Sequence, residues 1–389
     1  MGVRKRIRNA VKRLPYARRV VVGLRALDVR RRELAAAIEL VRHQHLEALQ
    51  PAVPPGHYYS PIPARADLGA RAATIWPDPP PRELPGIHLN EAGQLALLDA
   101  VARFYAEQPF ADEPGDGVRY GFANAYFSYG DALYLYGLVR HLQPKRVIEV
   151  GSGYSSAVTL DTVQRFLDGA AACTFIEPEP DRLFSLLSPT DRAAVEIITQ
   201  PVQDVPLARF ADLTQNDILF IDGSHVAKTG SDVNHLLFGV LPRLRPGVYI
   251  HFHDIFYPFE YPLEWLEAGF IWNEAYVLRA FLMDNQTFEI ALFGDYLARF
   301  HHDRLAARMP LALKNTGAVC GCAGCRPLPL VLYATIVEMY HGLSFLPYLL
   351  VKWPRRHTAG RDSDEAVQQR RDVAKRSTWT ARRCGDPGA

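Results

Sequence analysis

Cysteine is scarce in this chain: there are five in 389 residues, and three of them crowd together as Cys320, Cys322 and Cys325. That is too few for a disulfide scaffold and fits a reducing, cytoplasmic compartment. Net charge is nearly absent as well, with 44 basic against 42 acidic residues. The balance gives no reason to expect a nucleic-acid partner. The surplus basic residues sit at the two ends, in "MGVRKRIRNAVKRLPYARR" and "KWPRRHTAGR", where they read as a solvated helix or a loose arm. Long apolar runs are missing too. "VVVGL" is too short for the core of a secretory signal. "PLVLYATIVEMYHGLSFLPYLLV" approaches the length of a membrane span, but Glu338 and His341 near its middle and Pro347 toward its end argue against one. There is no internal repeat.

What is present divides the chain into four parts. Residues 1–50 form a basic segment with helical spacing, as in "RRELAAAIELVRHQHLEAL". Residues 51–120 begin with a proline-rich linker or wrapped arm. They continue into "NEAGQLALLDAVARFYAEQ", an amphipathic helix that Asn90 is placed to cap. From 121 to 317 short apolar strands alternate with helices. The strands are "RVIEV", "CTFIEP", "VEIIT", "DILFIDG", "GVYIHFHDI" and "FEIALF". The helices include "NAYFSYGDALYLYGLVRHL", "SSAVTLDTVQRFL", "SDVNHLLFGVLPRL" and "NEAYVLRAFLMDN". Near-continuous apolar strands between helices predict an α/β fold, a Rossmann-like doubly wound and mostly parallel sheet covered on both faces. Residues 318–389 form an atypical tail.

Two features at strand ends point to a cofactor. "RVIEVGSGYSS" places Glu149, Gly151 and Gly153 where a strand turns into a helix, and glycine there lets backbone approach a ligand. The third glycine of the dinucleotide fingerprint is missing. The next strand ends in Glu177, where an acid is positioned to accept hydrogen bonds from ribose hydroxyls. Two further strands end in acid and imidazole: Asp222 and His225 in "LFIDGSHVAKTGSDVN", and His251, His253 and Asp254 in "GVYIHFHDI". His251 is expected to turn away from His253 and reads as a packed, hydrogen-bonded core residue rather than a ligand. If the two strands are neighbours, Asp222, His253 and Asp254 converge outside their carboxyl ends, where such sheets bind ligands. Two carboxylates with imidazole suit a divalent ion, and they equally suit a substrate bound without metal.

The stretches "VIEVGSGYSS", "FIEPEP", "QPVQDVP", "LFIDGSH" and "HFHDIF" occur in the order found in class I S-adenosylmethionine-dependent methyltransferases, and the chain resembles that family from about Phe122 to Gly317. The resemblance implies that Glu149, Gly151 and Gly153 line the methionine part of the cofactor. It places Glu177 on the ribose and Asp204, in "VQDVP", beside the adenine. Asp204 also reads as a turn acid before Pro206. The second cluster is similar to that of metal-dependent macrolide-sugar O-methyltransferases of the mycinamicin type. That similarity implies Asp222 as an anchor, His225 as general base, and Asp222, His253 and Asp254 around a divalent metal. His253 stands where those relatives carry an acid, which shifts the preference from Mg toward Mn, Fe or Zn. The implied activity is O-methylation of a sugar or small-molecule hydroxyl. An Fe-dependent hydroxylase of the cephalosporin-hydroxylase type and an inactive cofactor-binding scaffold stay open beside it. Implied partners are a small-molecule or glycan acceptor and, compatibly, a second copy of the chain.

A sheet of this class ends with an antiparallel strand after "FEIALF". The chain reads "NTGAVCGCAGCRPLP" at that place. One back-translation of Ala318–Cys325, read in a shifted frame, gives Ser-Leu-Trp-Leu-Arg-Gly-Leu. The expectation is therefore a frameshifted tail after about Gly317 and a sheet lacking its last strand.

Overall fold

A computed structural model describes residues 51–314 and 332–336. Between them lie helices α1 (Arg65–Ile75), α2 (Glu91–Ala102) and α3 (Tyr129–Leu142), then strand β1 (Arg146–Val150) and helix α4 (Tyr154–Phe166). Strand β2 (Ala172–Ile176) is followed by α5 (Asp181–Leu186), α6 (Pro189–Ala194), strand β3 (Glu196–Ile198) and α7 (Ala208–Ala211). Strand β4 (Ile218–Ile221) leads to α8 (Asp232–Asn234), which continues as a wide π turn over His235–Val240. Strand β5 (Tyr249–Phe252), helices α9 (Leu263–Glu267) and α10 (Glu274–Leu282), strand β6 (Phe288–Phe293), helices α11 (Gly294–Phe300) and α12 (His302–Arg308), and strand β7 (Leu332–Ile336) complete the order.

The strands form one sheet in the order β3-β2-β1-β4-β5-β7-β6. The first five are parallel neighbours, and β7 runs antiparallel between β5 and β6. The doubly wound sheet predicted above is what is observed. The reason is legible in β1 and β4, where Val147–Val150 and Ile218–Ile221 are buried throughout because helices cover both faces. Strand order reverses between β1 and β4, so the crevice for ligands opens beyond their carboxyl ends.

Several expectations are corrected. The sheet does not lack its last strand: "LYATI", Leu332–Ile336, pairs Tyr249↔Thr335 on one side and Phe288↔Ile336 on the other. Its aromatic and β-branched residues suit an extended backbone, whatever the origin of the residues before it. The helix expected from Asn124 starts only at Tyr129. Asn124 instead folds the preceding loop: its Nδ2 donates to Gly121 O (2.9 Å) and its Oδ1 accepts from Phe127 N–H (2.7 Å). Asn90 adopts a left-handed φ of 50° and makes no side-chain cap; its Nδ2 reaches Ile290 O at 3.1 Å and ties α2 to β6. The proline-rich stretch holds α1, which no linker reading foresaw. The basic segment 1–50, the cysteine cluster and the apolar segment apart from β7 lie outside the described residues. Among those described, no helix is long and apolar enough to cross a membrane.

Arg119 clasps the start of the domain to its far side. It donates to the fully buried Asp161 (2.7 Å) and to Asp191, which also caps α6 through Ser188. The Arg119 hydrogen bond is the main cause holding the Asp191 carboxyl down to about 2, against the opposing effect of its partial burial. A depressed carboxyl contributes stability that is present above its unfolded pKa and lost as pH falls through its folded one. Asp191→Asn is therefore expected to cost about 2 kcal/mol at neutral pH. It should also flatten the loss of stability between about pH 4 and 2, read from urea unfolding across that range.

Candidate active site

The glycine loop is built around a close backbone approach. Gly151 has φ +79°, and a methyl group there would overlap the carbonyl oxygen of Asp222 at the end of β4. The crossing brings the ends of β1 and β4 together: Asp222 N–H donates to Val150 O at 2.8 Å. Glu149, one residue back, is fully buried. Its Oε1 accepts from Ser155 Oγ (2.8 Å) and Ser156 Oγ (2.6 Å) at the start of α4, while Oε2 has no hydrogen-bond partner among the described residues. Burial pushes this carboxyl up to about 8, against the lowering effect of the two serines. An unpartnered oxygen on a buried acid under a glycine loop is a place waiting for a cationic or N–H donor.

Glu177 ends β2 as expected, and the loop backbone orients it. Ser152 N–H donates to its Oε2 (3.0 Å) and Glu179 N–H to its Oε1 (2.8 Å). Each oxygen keeps a lone pair for hydroxyls across a cavity of about 520 Å³ lined by Gly151, Glu177, Gln203, Asp222, Lys228 and Asp232. Asp204 is exposed and is not part of that wall; the short 3₁₀ turn Val202–Asp204 presents Gln203 instead. Glu177→Ala is expected to weaken S-adenosylmethionine binding by about one to two orders of magnitude, measured calorimetrically, if the ribose hydroxyls sit on this charged acceptor as the resemblance implies.

Strands β4 and β5 are neighbours, with Ile221 opposite Phe252, and their ends bring the second cluster together. His225 and Asp254 both take left-handed backbone conformations, φ 57° and 56°. Such conformations in non-glycine residues concentrate at functional sites. His225 is buried and has Trp272 packed on it at 4.3 Å. Its Nδ1 lies 2.8 Å from Glu274 Oε2, and its Nε2 lies 3.2 Å from Asp222 Oδ1 and 3.8 Å from Asp254 Oδ2. His253 stands on the other side of the acids: Nδ1 is 3.4 Å from Asp222 Oδ1 and 3.5 Å from Asp254 Oδ1, and Nε2 is 3.6 Å from Asp131 Oδ1. The ligand atoms that gather within 4.8 Å of one another are those of Asp222, His225 and Asp254. The sequence reading had His253 in that third place; here it flanks the group. His251 is buried against Phe220, at 4.0 Å, and its ring lies 6.1 Å from that of His253; the expectation that it turns away is corrected, because residues two apart on a strand share a face.

The electrostatics are those of an acid-rich pocket balanced by two imidazoles. Burial alone would lower the His225 pKa, but hydrogen bonds to Asp222 and Glu274 outweigh it and raise it to about 10. His253 is likewise raised well above its usual value: burial opposes, and the charges of Asp254 and Asp222 prevail. Asp222 is held far below the carboxylate range, burial notwithstanding, by the charge of His253 and the His225 bond. Burial raises the carboxyls of Asp131 and Glu274.

Two members of the site escaped the sequence reading. Glu274, fully buried, opens α10, and both Asn273 N–H and Glu274 N–H donate to His225 O at 3.1 Å, which locks the helix start onto the loop after β4. Asp131 looked like a first-turn acid of α3. Its Oδ2 does accept from Ser128 N–H (3.1 Å), but its other oxygen faces His253. The available signal was an acid within a run where almost every neighbour is apolar and buried, a costly placement without a partner.

A family model described as a methyltransferase domain matches residues 148–255, the span from β1 to the loop after β5. An uncharacterized protein of the archaeon Archaeoglobus fulgidus is 34% identical over 167 residues, which are 42% of this chain and 75% of the relative. Residues 148–255 thus belong to a methyltransferase domain family. The sequence resemblance implies S-adenosylmethionine as the cofactor. The residues fit it: an unpartnered buried acid oxygen at Glu149, a backbone cradle only glycine allows at Gly151, and an oriented carboxylate at Glu177. Among solved structures, an apo structure of CmcI is similar at 16% identity and TM-score 0.31 over 42% of this chain, and the chain spans 64% of that protein's length. The O-methyltransferase TomG from Streptomyces achromogenes, solved with S-adenosylmethionine, is similar at 14% identity and TM-score 0.34 over 70% of this chain and 96% of its own. The Podospora anserina methyltransferase PaMTH1, solved with S-adenosylhomocysteine, is similar at 14% identity and TM-score 0.35, over 75% of this chain and 100% of its own.

Proposed function

We propose that this methyltransferase acts on a hydroxyl of a sugar or small molecule, with His225 as the proton acceptor and Asp222 and Asp254 as anchors for a divalent cation. The observation that carries the reading is the line Glu274–His225–Asp222/Asp254 at the lip of the cofactor cavity. Methyl transfer to oxygen is an in-line displacement, and an alcohol is a poor nucleophile until its proton is withdrawn. Glu274 holds the imidazole by Nδ1, which fixes the tautomer and aims Nε2 into the crevice, the role an acid plays behind any catalytic histidine. Trp272 covers the ring and keeps water from it.

The two carboxylates, with the His253 imidazole 3.4 and 3.5 Å from them, are a suitable donor set for a borderline divalent ion and leave His225 Nε2 for the proton, and Asp222 remains 30% exposed, open to the cavity. A bound cation would cancel the negative field that now holds the His225 proton and would lower the pKa of a coordinated hydroxyl. Glu177 and the Gly151 loop orient the methyl donor, and orientation is the larger part of what such a reaction needs.

Calorimetry with S-adenosylmethionine tests the foundation, and titration with Mn²⁺ followed by its paramagnetic signal tests the anchors. Wild type is expected to bind both, and Asp222→Ala to lose Mn²⁺ by about a hundredfold while keeping the cofactor. Full Mn²⁺ affinity in Asp222→Ala would sink the cation site.

A further inference from the structure

A second cavity, of about 640 Å³, opens beside the loop after β5 and shares no residue with the cofactor cavity. The proline-rich arm forms one wall with Trp76 and Asp78. The other carries Phe256, Glu260, Glu264 and Arg299. The walls are fixed to each other: Trp76 Nε1–H donates to Tyr261 O (2.9 Å), and Tyr257 OH donates to Pro81 O (2.6 Å). The indole N–H is thus spent on structure, while the ring remains part of the cavity wall. The cavity stands at the same end of the sheet as the reacting groups. Phe256 is two residues beyond Asp254, and Tyr261 packs on Trp272 (5.9 Å), the ring that covers His225.

The charges of the cavity do not cancel. Asp78, Glu260 and Glu264 face one cation, Arg299, whose Nε donates to the buried Asp295 at 2.9 Å. Glu260 has a free hand: Tyr276 OH and Tyr261 N–H both bind its Oε1, and among the described residues Oε2 takes no bond. A half-buried carboxylate oxygen without a donor, in a cavity that an indole also lines, is a pairing that recognises an organic ammonium group.

We infer that this cavity is a binding site for an amine-bearing small molecule, seated between the Trp76 ring and the Glu260 carboxylate. The inference rests on the proposed acceptor site only for its consequence: an amine on a remote part of the acceptor would supply binding energy away from the transferred methyl group. The cavity itself requires no catalytic step.

Benzylamine and its neutral counterpart benzyl alcohol make the test, titrated into the full chain while the indole N–H resonance of Trp76, assigned by its absence in Trp76→Phe, is followed. Benzylamine is expected to shift that resonance in the millimolar range and benzyl alcohol to bind about tenfold more weakly, the 1.4 kcal/mol an uncompensated charge contact supplies. Glu260→Gln should remove the preference for the amine, and Asp78→Asn should reduce it. Equal binding of the two probes, an unchanged preference in Glu260→Gln, or no shift with benzylamine each overturns the inference. Calorimetry with S-adenosylmethionine on the same samples keeps the two readings apart: cofactor binding without benzylamine binding removes the amine site alone, and loss of cofactor binding counts against the methyltransferase reading.

Discussion

Replacing His225 with alanine is expected to lower methyl transfer by about three orders of magnitude while leaving S-adenosylmethionine affinity within about twofold. The separation follows from where the ring sits. His225 is not in the wall of the cofactor cavity, yet its Nε2 faces Asp222, which is. Glu274→Gln is the sharper version. The amide keeps the volume and a hydrogen bond to Nδ1 but cannot balance an imidazolium. Its loss should approach that of His225→Ala, and the pH at which turnover rises should move down, because a group raised to about 10 loses one of the two acids holding it there. The sign is fixed by the cause: with its folded pKa above the unfolded value, the protonated ring is stabilised in the native state up to the folded pKa and no further. Glu274→Asp should recover part of the rate. A pH profile identical in Glu274→Gln and wild type would show that Glu274 only supports the fold. Release of S-adenosylhomocysteine in single turnovers, scanned from about pH 6 to 10, measures all of this.

Gly151→Ala is expected to have the largest effect on the folded state. Two independent penalties meet at this position. The φ of +79° is strained for any residue with a Cβ, and the added methyl would overlap the Asp222 carbonyl oxygen. Relief requires β1 and β4 to part at their carboxyl ends, where Asp222 N–H binds Val150 O and the cofactor cavity begins. A loss on the order of 4 kcal/mol is expected, from strain and overpacking together. The surviving folded fraction should bind S-adenosylmethionine too weakly for calorimetry to register. Gly153→Ala is the internal control: its φ of 178° lies outside the left-handed region, and the added methyl would meet only side-chain carbons of Arg182, Cδ at 3.1 Å and Cγ at 3.7 Å. If Gly151→Ala unfolds in urea at the wild-type midpoint, the close approach is not what fixes glycine there.

Strand ends were the most legible part of this chain. An apolar run that stops on an acid, as in Glu177 or Asp222, announces both a buried strand and the place where it reaches the crevice. Neighbouring strands then bring Asp222 and Asp254 together without further information. What the pattern could not convey was pairing across distance. Glu274 reads as an ordinary first-turn acid of α10 until His225, 49 positions earlier, is seen to lie against it. Asp131 is concealed in the same way, since its capping bond already accounts for an acid there. Asp204 and Gln203 show a finer limit: a short 3₁₀ turn decides which of two adjacent residues faces the cavity, and no periodicity marks it. The tail misled for a different reason. The cysteine-rich approach Cys320–Cys325 carries no strand pattern, whereas "LYATI" after it has the composition of a strand.

The position of that pentapeptide has a consequence for any shortened form of the chain. Strands β5 and β6 run in the same direction and do not touch; β7 stands between them and bonds to both. A chain ending before Leu332 would keep a slot one strand wide, bordered on each side by unsatisfied amides and carbonyls. Such a slot accepts an extended segment from any source. Truncated protein is therefore open to donor-strand capture, in which the missing pentapeptide is supplied in trans by another molecule or by an added peptide.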